Sequence, residues 1–77
     1  MITVLYFANL KEITGKEKDV INCEEMTIKE LQEWIVKSYE GFNFSGILVA
    51  INEEFAESTD TIRSGDTVAF IPPVSGG

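Results

Sequence analysis

The chain has 77 residues and a mass of 8.6 kDa, is 44% hydrophobic and 25% charged, and so has room for one small domain. Six Lys and Arg against thirteen Asp and Glu give a net charge of −7, which disfavours nucleic acid and anionic membranes and suits basic protein surfaces. With no histidine, Ser–His and Cys–His nucleophilic catalysis, imidazole bases and most zinc sites are excluded together.

Met1-Ile2-Thr3-Val4 has no basic stretch before an apolar one, so no signal peptide is expected, and no apolar run approaches the ~20 residues that span a bilayer. Ile2 to Phe7 reads as a strand with Ile2, Val4 and Tyr6 on one face and Leu5 and Phe7 on the other. Ala8 to Thr14 reads as a short helical turn closed by Gly15, and Lys18 to Asn22 as a strand paired back on the first. Cys23 is the single cysteine, which excludes an internal disulfide and fits a reducing cytoplasm. It stands beside Glu24 and Glu25, an electronegative setting unlike that of a reactive cysteine, so it is expected to be structural.

Thr27-Ile28-Lys29-Glu30 matches a capping box, with Met26 and Leu31 placed for a hydrophobic staple. Ile28, Leu31, Trp34, Ile35 and Tyr39 then fall on one stripe, which predicts a helix over 27–39 with Trp34 in the core. Glu33 precedes Lys37 by four residues, the spacing of a surface ion pair. Residues 41–46 read as a loop, Ile47 to Ile51 as a buried strand and Asn52-Glu53-Glu54 as a turn leading to Phe55 and Ala56. Ser64-Gly65-Asp66 is a turn before the last strand, Thr67 to Ile71, which Pro72-Pro73 ends because neither proline can donate to a ladder. The glutamate pairs Glu24–Glu25 and Glu53–Glu54 lack further ligands nearby and read as solvated charges, so no metal site is expected.

This order predicts an α+β fold of the β-grasp kind: a mixed four- to five-stranded sheet with one main helix across one face, and the first and last strands adjacent and parallel. One helix covers one face only. Val68 and Phe70 are expected to point inward with Ile2, Val4 and Tyr6, which leaves Leu5, Phe7, Ala69 and Ile71 as an apolar patch on the uncovered face, a candidate interface.

The domain is expected to occupy residues 1–71 and a flexible tail residues 72–77: Pro72, Pro73, Val74, Ser75, Gly76 and Gly77. Two prolines favour an extended start, and two glycines leave an end slim enough for a narrow slot. Fully extended, six residues reach roughly 20 Å, enough to enter another protein's active site. The Gly77 carboxylate is the group an adenylating enzyme could activate with least steric hindrance.

The ending Phe70-Ile71-Pro72-Pro73-Val74-Ser75-Gly76-Gly77 resembles that of the small subunits of molybdopterin synthase, the ubiquitin-like sulfur carriers of molybdenum-cofactor synthesis. The opening Val4-Leu5-Tyr6-Phe7-Ala8, followed by Lys11-Glu12 and Gly15, is similar too, as is Gly65-Asp66-Thr67-Val68-Ala69-Phe70. The resemblance implies that Gly77 is adenylated by a ubiquitin-activating-type adenylyltransferase using ATP, then converted by a sulfur donor protein to a thiocarboxylate. It further implies transfer of that sulfur to cyclic pyranopterin monophosphate inside the large synthase subunit, building molybdopterin, in a heterotetramer of two small and two large subunits. On this resemblance the chain binds no cofactor itself, is one subunit of a cytoplasmic sulfurtransferase and is not catalytic alone. By the same resemblance Phe7, Lys11 and Ile71 match positions that contact the large subunit; the family often has Arg at the position of Lys11 and an aromatic at that of Ile71. Two alternatives share the ending: a carrier for another sulfur pathway, such as thiamine thiazole synthesis, and a ubiquitin-like modifier conjugated through Gly77.

Overall fold

Period-two alternation decides which side of each strand is buried. In the computed structural model, which describes residues 1–72, β1 (Ile2–Tyr6) buries Ile2, Val4 and Tyr6 and leaves Leu5 only partly covered. The expected tail from Pro73 to Gly77 lies outside the described residues. The chain continues through α1 (Asn9–Thr14), β2 (Lys18–Ile21), β3 (Glu25–Thr27) and α2 (Ile28–Ser38). It ends with β4 (Leu48–Ile51), β5 (Glu54–Phe55), β6 (Thr61–Arg63) and β7 (Thr67–Ile71).

Five strands form a mixed sheet in the order β2-β1-β7-β4-β5, with β1 and β7 parallel and the other pairs antiparallel. This is the predicted arrangement. On its inner face Val4 stands beside Val68 and Tyr6 beside Phe70, and Val49 pairs with Phe70 from β4. Ile28, Leu31 and Ile35 of α2 close over them, each fully buried.

Local chemistry fixes where the elements start and stop. The capping box forms as expected: the Thr27 hydroxyl accepts from the Glu30 N–H at 3.1 Å, and the Glu30 carboxylate accepts from the Thr27 N–H at 2.8 Å. Gly15 ends α1 in the left-handed region at φ +76° and donates its N–H to the Lys11 carbonyl at 2.8 Å.

A polar clamp ties the β1–β2 edge to the end of α2. The mostly buried Asp19 carboxylate accepts the hydroxyls of Tyr6, at 2.8 Å, and Tyr39, while Lys16 pairs with its other oxygen at 3.1 Å. Burial opposes the charge on Asp19, but the donors Tyr39, Tyr6 and Lys16 outweigh it and hold the carboxyl below its ordinary value. Burial and the adjacent Asp19 push both tyrosine hydroxyls above the ordinary range.

Several expectations need correction. Trp34 is not core: it is 37% exposed and rests edge-on against Tyr39, because the inner stripe of α2 is filled by Ile28, Leu31 and Ile35. The strand predicted from Ile47 starts at Leu48, and Leu48 is 52% exposed because it points to the uncovered face. Glu54 belongs to β5, so the turn before it has two residues, not three. Glu33 and Lys37 do not pair; the ion pairs among the described residues are Lys11–Glu17, Lys16–Asp19 and Arg63–Glu25. The two-stranded β3–β6 ladder lacks a signal in the sequence, since three residues are too few for alternation and Thr27 doubles as the cap of α2.

Candidate functional site

Partners across a ladder share a face, so the register builds the outer surface row by row. Lys18 stands opposite Leu5, Leu5 beside Ala69, Ala69 opposite Ala50 and Ala50 opposite Phe55. The neighbouring row carries Ile71 opposite Leu48. Two alanines in the middle of a row flanked by Leu5 and Phe55 leave a trough. It is a depression of about 370 Å³, with Leu5, Phe7 and Ile71 on one side, Ala50 and Ala69 as floor and Phe55 as the opposite wall. Phe7 is 42% and Phe55 75% exposed, and α2 lies on the other side of the sheet.

The trough has a polar end at Asn52, Glu53 and Thr67. The Asn52 side chain donates to Asp66 at 2.9 Å and accepts from the Thr67 N–H at 2.9 Å, tying the β4–β5 turn to the turn before β7. Asp66 also accepts from the Arg63 N–H at 2.9 Å, and these two donors hold its carboxyl below the ordinary value. Charge is divided across the face, with Lys18 at the β2 edge and Glu53 in the turn between β4 and β5.

The structure thus brings Leu5, Phe7, Ala69 and Ile71 together. It does not bring Lys11 to the trough: Lys11 lies on α1 and faces Glu17 at 3.8 Å. Phe55 is the wall that sequence reading missed; its one signal was an aromatic directly after a turn of polar residues, where hydrophobic patterning gives no face. Pro72 leaves the sheet directly after Ile71, so the chain departs from the trough's own edge. Pro73 to Gly77, named above as site residues, lie outside the described part.

Cys23 is half-buried against the core and donates its thiol to the Glu25 carbonyl at 3.2 Å, a structural setting. Glu24, Glu25, Glu53 and Glu54 are exposed, and the described residues hold no cluster of three or more potential metal ligands. A more open depression of about 270 Å³ on α2 lies among Lys29, Gln32, Glu33, Val36 and Lys37. Among the described residues no helix is long and apolar enough to cross a membrane.

The family model described as the ThiS family matches residues 4–77, nearly the whole chain. The chain belongs to the ThiS family. This ThiS-family chain is 37% identical over 83 residues to the molybdopterin synthase sulfur carrier subunit of Homo sapiens, covering 99% of this chain and 93% of that protein. It is 28% identical over 81 residues to the protein of the same name from Escherichia coli (strain K12), with 100% of each covered. Among solved structures, SAMP1 from Haloferax volcanii superposes with a TM-score of 0.81 at 26% identity, covering 99% of this chain and 98% of that one. A protein–protein complex of subunits 1 and 2 of the molybdopterin-converting factor from Helicobacter pylori contains a chain with a TM-score of 0.71 at 25% identity, covering 99% and 97%.

Proposed function

We propose that this protein is the sulfur-carrier subunit of a molybdopterin synthase, with the Gly77 carboxylate as its working group. The observation that carries the reading is Ile71, which is at once an edge of the trough and the last strand residue before Pro72. In this reading a partner that docks on the trough is the one offered the Gly77 carboxylate. End-to-end similarity to sulfur carrier subunits from human and Escherichia coli supports the same assignment.

The chemistry asks little of this chain's side chains. A carboxylate is a poor acyl donor. Attack of a Gly77 oxygen on the α-phosphorus of ATP, held by a separate adenylyltransferase, expels pyrophosphate and gives an acyl adenylate. A persulfide sulfur of a donor protein then adds to the carbonyl and AMP departs, leaving an acyl disulfide; a thiol reductant attacks the donor's own sulfur, which releases the Gly77 thiocarboxylate and leaves a disulfide between the donor and that thiol. In the large subunit the thiocarboxylate sulfur bonds to cyclic pyranopterin monophosphate, and water hydrolyses the resulting thioester, which leaves the sulfur on the precursor and returns the Gly77 carboxylate for another cycle. Such covalent storage suits a chain without histidine. In this reading the trough docks on the large subunit in a heterotetramer of two small and two large chains, and the −7 charge steers it to a basic partner.

The test is intact mass after incubation with the adenylyltransferase, ATP and a sulfur source. Replacement of one oxygen by sulfur at Gly77 is expected, followed by its loss when the large subunit and precursor are added. Deleting Gly76 and Gly77 is expected to abolish molybdopterin formation; unchanged formation would sink the proposal. Isopeptide conjugates to other proteins, with no sulfur exchange, would instead favour the modifier reading.

A further inference from the structure

On the uncovered face one row runs from edge to edge as Lys18, Leu5, Ala69, Ala50 and Phe55, across β2, β1, β7, β4 and β5. Ala69 stands on the middle strand. On one side of it are a large aliphatic residue and a cation, on the other a methyl group and an aromatic ring. The next row toward the end of β7 is apolar: Ile71 opposite Leu48, with Phe7 following β1 beside them. The row on the other side is mostly polar, with Val20 opposite Thr3 and Thr3 beside Thr67. Asn52 joins that row, since its N–H donates to the Thr67 carbonyl at 2.8 Å.

Such rows complement themselves. A half-turn about an axis along β7, lying in the plane of contact, exchanges the halves of each row and keeps every row at its own level. Leu5 of one copy then meets Ala50 of a second, Ala69 meets Ala69, and Lys18 comes over Phe55. Large side chains face small ones, as close packing of two aligned sheets requires. The apolar row covers the apolar row and the threonine row covers the threonine row. A half-turn about an axis across the strands fails on the same residues. It sets Leu5 on Leu5, Ala50 on Ala50 and Lys18 on Lys18, so bulk meets bulk, a gap opens and like charges face each other.

Charge selects the same axis. Lys18 is exposed at the β2 edge, and Glu53 is exposed at the opposite side of the sheet, in the turn that closes the polar end of the trough. Among the described residues the ion pairs are Lys11–Glu17, Lys16–Asp19 and Arg63–Glu25, which use neither of them. The half-turn along β7 carries Lys18 of each copy toward Glu53 of the other, twice in one pair of chains.

We infer that the free protein forms a twofold dimer in which the uncovered faces of two copies pack on each other, Leu5 over Ala50 and Lys18 toward Glu53. This dimer is independent of the sulfur-carrier reading, because it is a property of the chain alone. Five strands about 4.8 Å apart, the central ones five residues long, present a face of about 20 by 17 Å. That is small for a specific interface, so the dimer is weak. A weak cover removes Phe7 and Phe55 from water and yields the face to a tighter partner.

The test uses the full chain. In sedimentation equilibrium the mean mass should climb from one chain to two between about 1 µM and 1 mM and rise no further, as a closed twofold interface requires. A single-chain mass throughout, or growth beyond two chains, would overturn the inference. In a mixture of isotope-labelled and unlabelled chains, filtered nuclear Overhauser spectra should join the Leu5 methyls of one copy to the Ala50 methyl of the other. Within one chain these residues stand two strands, or about 10 Å, apart. Contacts of Leu5 with Leu5 would refute the axis. Lys18→Glu and Glu53→Lys should each weaken the dimer roughly 10-fold, because each removes both exposed ion pairs. The double variant Lys18→Glu/Glu53→Lys exchanges the charges and should return to within about 3-fold of the wild type. Failure to recover, with the urea midpoint unchanged, would sink the pairing. Added large subunit should replace the second copy if both use the trough. A carrier dimer that persists on the large subunit would bring down the docking reading and leave the self-association standing.

Discussion

The two faces of the five-stranded sheet are built from alternate residues of the same strands, yet they end in different states. On the inner face Ile2, Val4, Tyr6, Val68 and Phe70 are all buried under Ile28, Leu31 and Ile35. On the outer face Leu5, Phe7, Ala69 and Ile71 are comparably apolar and only partly covered. Hydrophobicity does not distinguish the faces; coverage does. An 11-residue helix is about 16 Å long and can blanket one side of so small a sheet. Evenly apolar central strands with a single helix are therefore a chain that keeps one hydrophobic face in reserve.

The comparison breaks most visibly with truncations on each side. Phe70→Ala removes a fully buried ring between β1 and β4 and is expected to cost about 3–5 kcal/mol, enough to unfold much of the population, as read by urea denaturation. An inner face that tolerated this change would refute the division. The Asp19 clamp comes next. Asp19→Ala strands the hydroxyls of Tyr6 and Tyr39 and should cost about 1–3 kcal/mol.

The same clamp sets the pH window. Asp19 has its carboxyl lowered on folding, so its contribution is complete above the unfolded value of about 4 and is lost as pH falls through the lower folded value. The tyrosines have their hydroxyls raised, so theirs is complete below about 10 and is lost as pH rises beyond it. Thermal midpoints scanned from acid to alkali should form a plateau between those limits, and Asp19→Ala should flatten the acid edge. Thr27→Ala, which opens the capping box of the covering helix, should cost about 1 kcal/mol without moving that plateau.

The smallest stability effects belong to the open face. Phe55→Ala is expected to change unfolding by less than about 0.5 kcal/mol, because the ring already stands in water. If the trough is the docking surface, the same variant and Phe7→Ala should each weaken large-subunit binding by about 1 kcal/mol or more in calorimetry. A variant that lost stability and kept affinity would reverse the assignment of the two faces.

Much of this was legible in the sequence. Alternation in β1 and β7 placed every inward residue, and Thr27 with Glu30 placed the start of α2, because both signals are local and periodic. Trp34 was misplaced for a related reason: at the margin of a helical stripe, periodicity cannot tell the residue that faces a sheet from the one that lies over its edge. Leu48 and Phe55 were missed as members of the open face because strands of four and two residues carry too few positions to fix parity. Lys11 matched a motif, but its direction depends on how α1 leaves the sheet, and that is set by the turn at Ala8.

What the sequence determined by itself was a small acidic chain without histidine, a β-grasp order of elements and an apolar set too large for one helix to cover, since composition and short-range periodicity are properties of neighbours along the chain. Only the tertiary structure decided that β7 lies between β1 and β4, that Ala50 and Ala69 form a floor between Leu5 and Phe55, and that the chain leaves the sheet at the edge of that trough. Register joins residues distant in sequence through ladder hydrogen bonds, and no local pattern encodes which of them will share a row.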